Sequence, residues 1–246
     1  MRKPKMIIFD YGHTLCYEPG LDLLRGEEAL FRYVTKNKDN LTYEQINEFS
    51  NELFERIDAL RGAGLEFHEW KFRKFMMEYL GVEFSVSMPE MERILWENSS
   101  AGNLMPNVDR MIDCVNAKGI RSAVISNISW SGTALAERIN RLMPQNRFEF
   151  IIASSEYMFR KPNPMLYKLA LRKAGLEPQD VWYCGDNVRA DVEGSAAVGI
   201  FPVWYECLEV VNTGYGKNEG VTPECEHLHV NDWMEMAEAL EGLGAL

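Results

Sequence analysis

The sequence predicts an α/β fold in which a doubly wound parallel sheet is interrupted by one all-helical unit. From about residue 105 onward, short apolar runs alternate with stretches of helical periodicity, which is the pattern of parallel βαβ units. One further apolar run, residues 5–10, lies alone near the N-terminus, and the chain between the two regions has helical periodicity. We therefore expect a discontinuous core, residues 1–16 and 101–246, and a separate helical insertion, residues 17–100.

The expected strands are short and apolar, as strands covered on both faces should be. The first is residues 5–10, and the others are residues 121–126, 149–153, 181–185 and 200–204, with a weak sixth at residues 226–230. Helices are predicted among them, at residues 132–143 and 163–174. The second helix has Asn163 as its N-cap, Pro164 at its first position and Gly175 as its terminator.

The helical insertion has the start signals and apolar stripes of a small bundle. Thr42 and Gln45 have the spacing of a capping box, and an apolar stripe at helical spacing follows them. Ser87 and Glu90 repeat that signature before another helix. An aromatic-rich helix is predicted between these two, over residues 68–80. The stripes indicate helix packing rather than a cofactor site.

Composition and charge restrict the partners of this 246-residue chain. Its net charge of −11 argues against nucleic-acid binding, since contact with a phosphate backbone requires a basic face. No apolar run approaches the roughly 20 residues that span a bilayer, and the basic N-terminus precedes too short an apolar run for a signal peptide. The five cysteines are scattered without a CxxC pair, so a zinc site is not expected. We expect a cytoplasmic protein with neither a membrane nor a nucleic-acid partner.

Polar side chains of the kinds used in catalysis follow several of the predicted strands. Asp10 ends the first strand, before a glycine turn, and Ser126 ends the second. Lys161 stands in a proline-containing turn before a helix, and Asp186 and Asp191 follow a later strand. Ligands of open parallel sheets bind just beyond the carboxyl ends of the strands. Singly, each residue has an ordinary explanation as a turn residue, a solvated lysine or a helix cap; together they favour a catalytic site.

In this order, Asp10, Ser126, Lys161 and the pair Asp186/Asp191 resemble the four motifs of the haloacid dehalogenase superfamily. The resemblance covers about the whole chain, and the helical insertion looks like the cap of the superfamily's helical-cap subclass. It implies a haloacid dehalogenase-like, Rossmann-like core with an inserted helical cap. Most members of the superfamily are magnesium-dependent phosphatases. The resemblance therefore implies a hydrolase that acts on a small phosphorylated metabolite.

The resemblance also implies a role for each residue. Asp10 would be the nucleophile that accepts the phosphoryl group as an aspartyl-phosphate. Lys161 would neutralise the charge that develops on the transferring group. Ser126, Asn127 and Thr14 would be the substrate-binding residues; Ser126 and Asn127 would bind phosphate oxygens, and Thr14 would also support the turn.

Mg²⁺ is the cofactor that the resemblance implies. The carboxylates of Asp10 and Asp186 suit this hard cation, which prefers oxygen ligands. The family also uses the backbone carbonyl two residues after the nucleophile, which falls on Gly12 in this chain. Asp191 would orient Lys161 or lie just behind the metal ligands.

One departure from the family pattern affects the chemistry. Typical phosphatases of the family carry a second Asp, the general acid/base, two residues after the nucleophile, whereas this chain has Gly12. General acid–base catalysis is worth about 10²–10⁴-fold, so its loss predicts slow turnover of substrates with poor leaving groups. The turnover of acyl and aryl phosphates, which have better leaving groups, should fall less. His13 is the candidate substitute, because imidazole titrates near neutral pH; the alternative is that His13 fills the turn.

Three other interpretations stay open. Dehalogenases of the superfamily also lack the second Asp, but they do not need the acid that corresponds to Asp186, so its presence favours a metal site. Phosphonatases use a cap lysine, and no lysine of the helical insertion stands out for that role. The third is a weakly active or non-catalytic protein that binds a phosphometabolite or a partner, although a binder has no need of a nucleophile such as Asp10.

Overall fold

The computed structural model describes residues 2–210, 218 and 220–243. Through the helical insertion, the elements are β1 (Met6–Phe9), β2 (Cys16–Tyr17), α1 (Leu23–Phe31), β3 (Val34–Asn37), α2 (Tyr43–Gly62), α3 (Glu69–Leu80), β4 (Val82–Phe84) and α4 (Met88–Ser99). They continue with β5 (Asn103–Leu104), α5 (Val108–Ala117), β6 (Arg121–Ser126), α6 (Gly132–Leu142), β7 (Phe148–Ala153) and α7 (Pro164–Ala174). The last are β8 (Val181–Gly185), a π-helical turn (Val188–Glu193), α8 (Gly194–Ala196), β9 (Phe201–Tyr205), β10 (Leu228–Val230) and α9 (Trp233–Gly242).

A six-stranded parallel sheet forms the centre of the molecule, in the order β10–β9–β8–β1–β6–β7. Phe9 of β1 lies beside Val124 of β6 and Cys184 of β8. The predicted strands are all present, and β6 and β8 have the predicted ends. Because β1 pairs in parallel with both β6 and β8, the carboxyl ends of these three strands lie side by side at one edge of the sheet, where the strand order also reverses.

Different helices cover the two faces of the sheet, which confirms the doubly wound fold. On one face, Ile7 and Phe9 belong to a core formed with α5, α6 and α9. On the other face, Met6 and Ile8 pack in a core formed with α7. The side chains of β1 are fully buried, and burial of each large apolar side chain contributes about 1.5–3 kcal/mol. The strand that ends at Asp10 is therefore anchored from both sides.

The helical insertion contains the predicted helices and one feature that was not predicted. Both capping boxes form, one between Thr42 and Gln45 and the other between Ser87 and Glu90. The difference from an all-helical unit is a short antiparallel pair, β3 with β4. These strands are three or four residues long and are joined across two helices, so no local periodicity marks them. No helix within the described ranges is long and apolar enough to cross a membrane.

The chain enters and leaves the helical insertion side by side. β2 and β5 pair antiparallel, with Cys16 beside Leu104 and Tyr17 beside Asn103. This pair lies close to the boundaries drawn from the sequence, at residues 16/17 and 100/101. The division into a discontinuous core and an inserted unit stays a proposal, and the pairing of the two connections supports it.

The contact between α1 and α4 gives a stability prediction. A Cβ atom at Gly26 would lie 2.2 Å from Ser99 Oγ and 2.5 Å from Leu95 O. Gly26→Ala should therefore push the helices apart and lower the free energy of unfolding by about 1–3 kcal/mol. Gly62→Ala is the matched control, because a Cβ atom there meets nothing within 4 Å. The control should be neutral or up to about 1 kcal/mol more stable. Urea unfolding measures both; equal losses of stability would contradict the close packing at Gly26.

Candidate active site

Lys161 and Asp10 are in direct contact at the carboxyl edge of the sheet. Asp10 follows β1, and its N–H donates to the carbonyl of Cys184 on the neighbouring strand at 2.8 Å. Lys161 Nζ donates to Asp10 Oδ1 at 2.5 Å, to Asp191 Oδ1 at 2.6 Å and to Tyr183 Oη at 2.8 Å. A lysine ammonium has three donors, and all three are used here. The sequence-predicted lysine therefore links the predicted nucleophile to Asp191.

The backbone of Lys161 is held by the side chain of Asn127. Lys161 N–H donates to Asn127 Oδ1 at 2.7 Å, and Asn127 Nδ2 donates to the carbonyl of Lys161 at 2.9 Å. Both polar groups of this amide are thus used on the protein itself. In this structure the side chain of Asn127 orients the loop that carries Lys161. Its predicted contact with a phosphate oxygen stays a prediction.

Three carboxylates lie close enough together to bind one metal ion. Asp10, Asp186 and Asp191 each offer one oxygen, and these oxygens lie within 4.8 Å of one another. Asp191 approaches so closely that a Cβ atom at position 185 would lie 2.3 Å from its Cγ, so Gly185 leaves the required space. Carboxylate oxygens are the ligands that Mg²⁺ and Ca²⁺ prefer. The donor set therefore fits the predicted Mg²⁺, with Asp191 as an additional candidate ligand.

Burial and charge act in opposite directions on the ionisable groups of this site. Burial raises the pKa of Asp10 from its ordinary value to about 6, although the ammonium of Lys161 opposes the rise and Asp191 adds to it. Burial alone would lower the pKa of Lys161, but the adjacent carboxylates of Asp10 and Asp191 outweigh it and raise that pKa. Lys161 therefore stays charged, and its ammonium stabilises the adjacent carboxylates of Asp10 and Asp191.

The turn after Asp10 is tight but leaves room at Gly12. The N–H groups of Leu15 and Cys16 both donate to the carbonyl of Tyr11 at 3.0 Å, and His13 N–H donates to the carbonyl of Cys16 at 2.7 Å. His13 takes the left-handed backbone conformation, with φ of 53°. A Cβ atom at Gly12 would meet nothing within 4 Å. The glycine at this position is therefore not required by crowding around a Cβ atom.

Three predicted residues lie near this turn or at the adjacent strand end, with their roles untested. Burial lowers the pKa of His13, so its imidazole is mostly neutral at pH 7, and its Nδ1 atom has no partner among the described residues. Thr14 is fully buried; its carbonyl accepts from Trp233 Nε1 at 3.0 Å. That position agrees with support of the turn. Ser126 is buried at the end of β6, at the same sheet edge as Asp10.

Tyr183 is a site residue that the sequence did not reveal. It lies in the middle of β8, fully buried, where an aromatic side chain is normally a core residue. Its hydroxyl accepts from Lys161 Nζ and donates to the carbonyl of Ile125 at 3.2 Å. The strand pattern contained no signal for this contact, because the partner lies in a loop 22 residues away.

The sequence of the chain matches the family model described as haloacid dehalogenase-like hydrolase over residues 28–204, which is more than half of its length. The chain belongs to this family. It is therefore a hydrolase of the haloacid dehalogenase-like type, with the Rossmann-like parallel sheet of that family. The matched segment contains Lys161, Asp186 and Asp191 and starts after Asp10.

Curated relatives and a solved structure agree with the family assignment. Glyceraldehyde 3-phosphate phosphatase of Pyrococcus furiosus is 23% identical over 84% of this chain and 82% of its own length. The protein of the same name from Methanothermobacter thermautotrophicus is 30% identical over 80% and 83%. The crystal structure of a HAD phosphatase from Thermococcus onnurineus superposes with a TM-score of 0.60 at 17% identity, covering 98% of this chain and 99% of that one. At that identity the structural similarity shows the fold alone.

The buried lysine of this hydrolase gives a pH-dependent stability prediction. Lys161→Met would leave Asp10 buried without its cation, so the pKa of this carboxyl should rise further and it should keep its proton at pH values where the unfolded chain has lost it. The folded state then binds more protons, and stability falls as pH rises from about 4 to 7. Removing one partner of a buried ion pair costs about 3–5 kcal/mol, and we expect that loss at pH 7.5 but a smaller one at pH 4.5.

Urea unfolding in EDTA at the two pH values measures this effect. Lys5→Met is the matched control, because Lys5 pairs with Asp180 at 2.8 Å while its own side chain is 58% exposed. Because the ammonium of Lys5 is mostly in solvent, its loss should cost only about 0–1 kcal/mol. An equal loss for Lys161→Met at both pH values would contradict the assignment of Lys161 as the cation that stabilises these acids.

Proposed function

We propose that this hydrolase is a phosphatase that removes the phosphoryl group of a small phosphorylated metabolite through a covalent intermediate on Asp10. The observation that carries the proposal is the position of Lys161, whose ammonium bridges the carboxylates of Asp10 and Asp191 at the sheet edge. The two archaeal relatives named glyceraldehyde 3-phosphate phosphatase support it, since their similarity extends over at least 80% of this chain. Short phosphorylated carbon chains are therefore the first substrates to test.

The residues of the site divide the reaction between them. An oxygen of Asp10 forms a bond to phosphorus while the bond from phosphorus to the ester oxygen breaks. Lys161 neutralises charge on the transferring group, and Ser126 binds one of its oxygens. Water then attacks the phosphorus of the aspartyl-phosphate, which releases phosphate and restores the Asp10 carboxylate. Asp191 and Tyr183 keep the lysine in place during both steps.

Asp10, Asp186 and the carbonyl of Gly12 would hold Mg²⁺, with Asp191 beside them. The ion supplies positive charge that lets the anionic nucleophile and the anionic phosphate approach each other. The acidic cluster also favours this chemistry over a metal-free dehalogenase. A cytoplasmic location remains a prediction from the sequence.

The missing acid/base at Gly12 should determine which substrates turn over. Departure of an alkoxide requires a proton that no carboxyl group at this position can donate. Neutral His13 is a weak replacement as an acid, because burial lowers its pKa. We therefore expect slow hydrolysis of alkyl phosphates and faster hydrolysis of acetyl phosphate. A non-catalytic phosphometabolite-binding protein is the second candidate, and it would show neither.

Mg²⁺ binding is tested by thermal unfolding. A ligand at a hundred times its Kd stabilises the folded state by about 2.7 kcal/mol, which corresponds to a rise in Tm of about 5–10 °C for a chain of this size. Saturating Mg²⁺ should raise the Tm of the wild type, and Asp186→Asn should remove most of that rise. Asp113→Asn, on the exposed side of α5, should keep it. A rise retained in Asp186→Asn would refute the proposed metal ligands.

Restoring the second Asp tests the proposed chemistry. Gly12→Asp should raise kcat for glyceraldehyde 3-phosphate by about 10²-fold or more and change kcat for acetyl phosphate much less. Gly12→Ala is the control for the added Cβ atom, which meets nothing within 4 Å at this position. Phosphate release with and without Mg²⁺ is the measurement, and Asp10→Asn should abolish it. An equal response of the two substrates to Gly12→Asp would contradict a missing acid, and no release from any substrate would favour the binding protein.

A further inference from the structure

The helical insertion contacts the core directly beside the catalytic lysine. Residues 64–66, which connect α2 to α3, lie antiparallel to residues 158–160 of the core. Arg160 N–H donates to the carbonyl of Gly64 at 2.9 Å, and Glu66 N–H donates to the carbonyl of Met158 at 2.7 Å. Leu65 and Phe159 form an isolated bridge between these two bonds. The residue that follows this contact in the core is Lys161.

The carboxylate of Glu66 fastens the same contact. Its side chain is fully buried and forms an ion pair with Arg160 Nη1. It also accepts from Ser154 Oγ at 3.1 Å and lies 3.4 Å from Arg61 Nε. A buried carboxylate is costly unless it is paired, and two of these partners, Ser154 and Arg160, belong to the core. Glu66 is therefore fully paired only while the helical insertion rests on the core.

The neighbouring residues Arg160 and Lys161 are thus held by different parts of the chain, the helical insertion and the core. Asn127 of the core binds both backbone polar groups of Lys161. Gly64 and Glu66 of the helical insertion bind the backbone and the side chain of Arg160. Arg160 and Lys161 are joined by a rigid peptide bond, and the backbone has only two soft dihedral angles per residue. A displacement of Arg160 would therefore be transmitted to Lys161.

We propose that Glu66 is a positioning residue, which acts through Arg160 to hold Lys161 against Asp10 when the helical insertion closes on the core. This inference rests on the proposed phosphatase function. Closure of the helical insertion would then be needed for catalysis. The site would be complete only when the insertion covers it, as closing lids commonly require. Because a misplacement of about 1 Å can cost a rate factor of about 10², a contact outside the reacting atoms can still control turnover.

Hydrogen exchange tests the coupling without any assay of activity. Glu66→Gln keeps the shape of the side chain and removes the charge that pairs with Arg160. We expect exchange of peptides that span residues 157–163 to rise at least tenfold, while peptides from β6 and β8 are unchanged. Glu97→Gln is the matched control, because Glu97 pairs with Arg93 at 3.1 Å on a half-exposed face of the same insertion. It should leave exchange at residues 157–163 unaltered.

Steady-state kinetics with p-nitrophenyl phosphate and Mg²⁺ test the consequence. Glu66→Gln should lower kcat about tenfold with a much smaller change in KM, because Lys161 acts on the transferring group, while Glu97→Gln should change neither. A rise in exchange without a fall in kcat would overturn the positioning role, and so would a fall in kcat without a rise in exchange. A wild type that releases no phosphate would refute the proposed function, whereas the exchange measurement would still decide whether Glu66 holds Arg160.

Discussion

The site depends on one buried cation. Asp10 and Asp191 are both buried at the edge of the sheet, and two carboxylates so close together would repel each other without a positive charge beside them. The ammonium of Lys161 satisfies both at once. Tyr183 and Asn127 fix that ammonium and its backbone, and Gly185 lets Asp191 approach. The other features of the site can be understood as support for this arrangement.

The helical insertion touches two of the loops that build the site. Glu66 reaches the loop before Lys161, and Glu92 of α4 accepts from the N–H and the hydroxyl of Ser131, each at 2.6 Å, at the start of α6. Ser131 follows the loop that contains Asn127. The structure therefore connects the position of the insertion with the two loops that hold the lysine, and a substrate that favours closure would at the same time complete the site.

Much of the fold could be predicted because its signals are local. β6 and β8 are continuous apolar runs, and both capping boxes have their marker residues three positions apart. The assembly of Asp10, Lys161 and Asp191 followed from strand ends and from the order of the motifs. Tyr183 and the contact of Glu66 with Arg160 could not be predicted, since these contacts join residues 22 and 94 positions apart without a local pattern. The pairing of β3 with β4 was missed for the same reason.

If Asp10 is the nucleophile, it should become covalently phosphorylated with Lys161 beside it. The most direct measurement is to mix the protein with acetyl phosphate and Mg²⁺, quench in acid within one turnover, and map the peptide that gains the mass of one phosphoryl group. Because hydrolysis of the intermediate lacks a general base at Gly12, we predict that the modified peptide accumulates and that Asp10 carries the group. Phosphate release without any phosphorylated Asp10, or with the group on another residue, would contradict a covalent intermediate on Asp10.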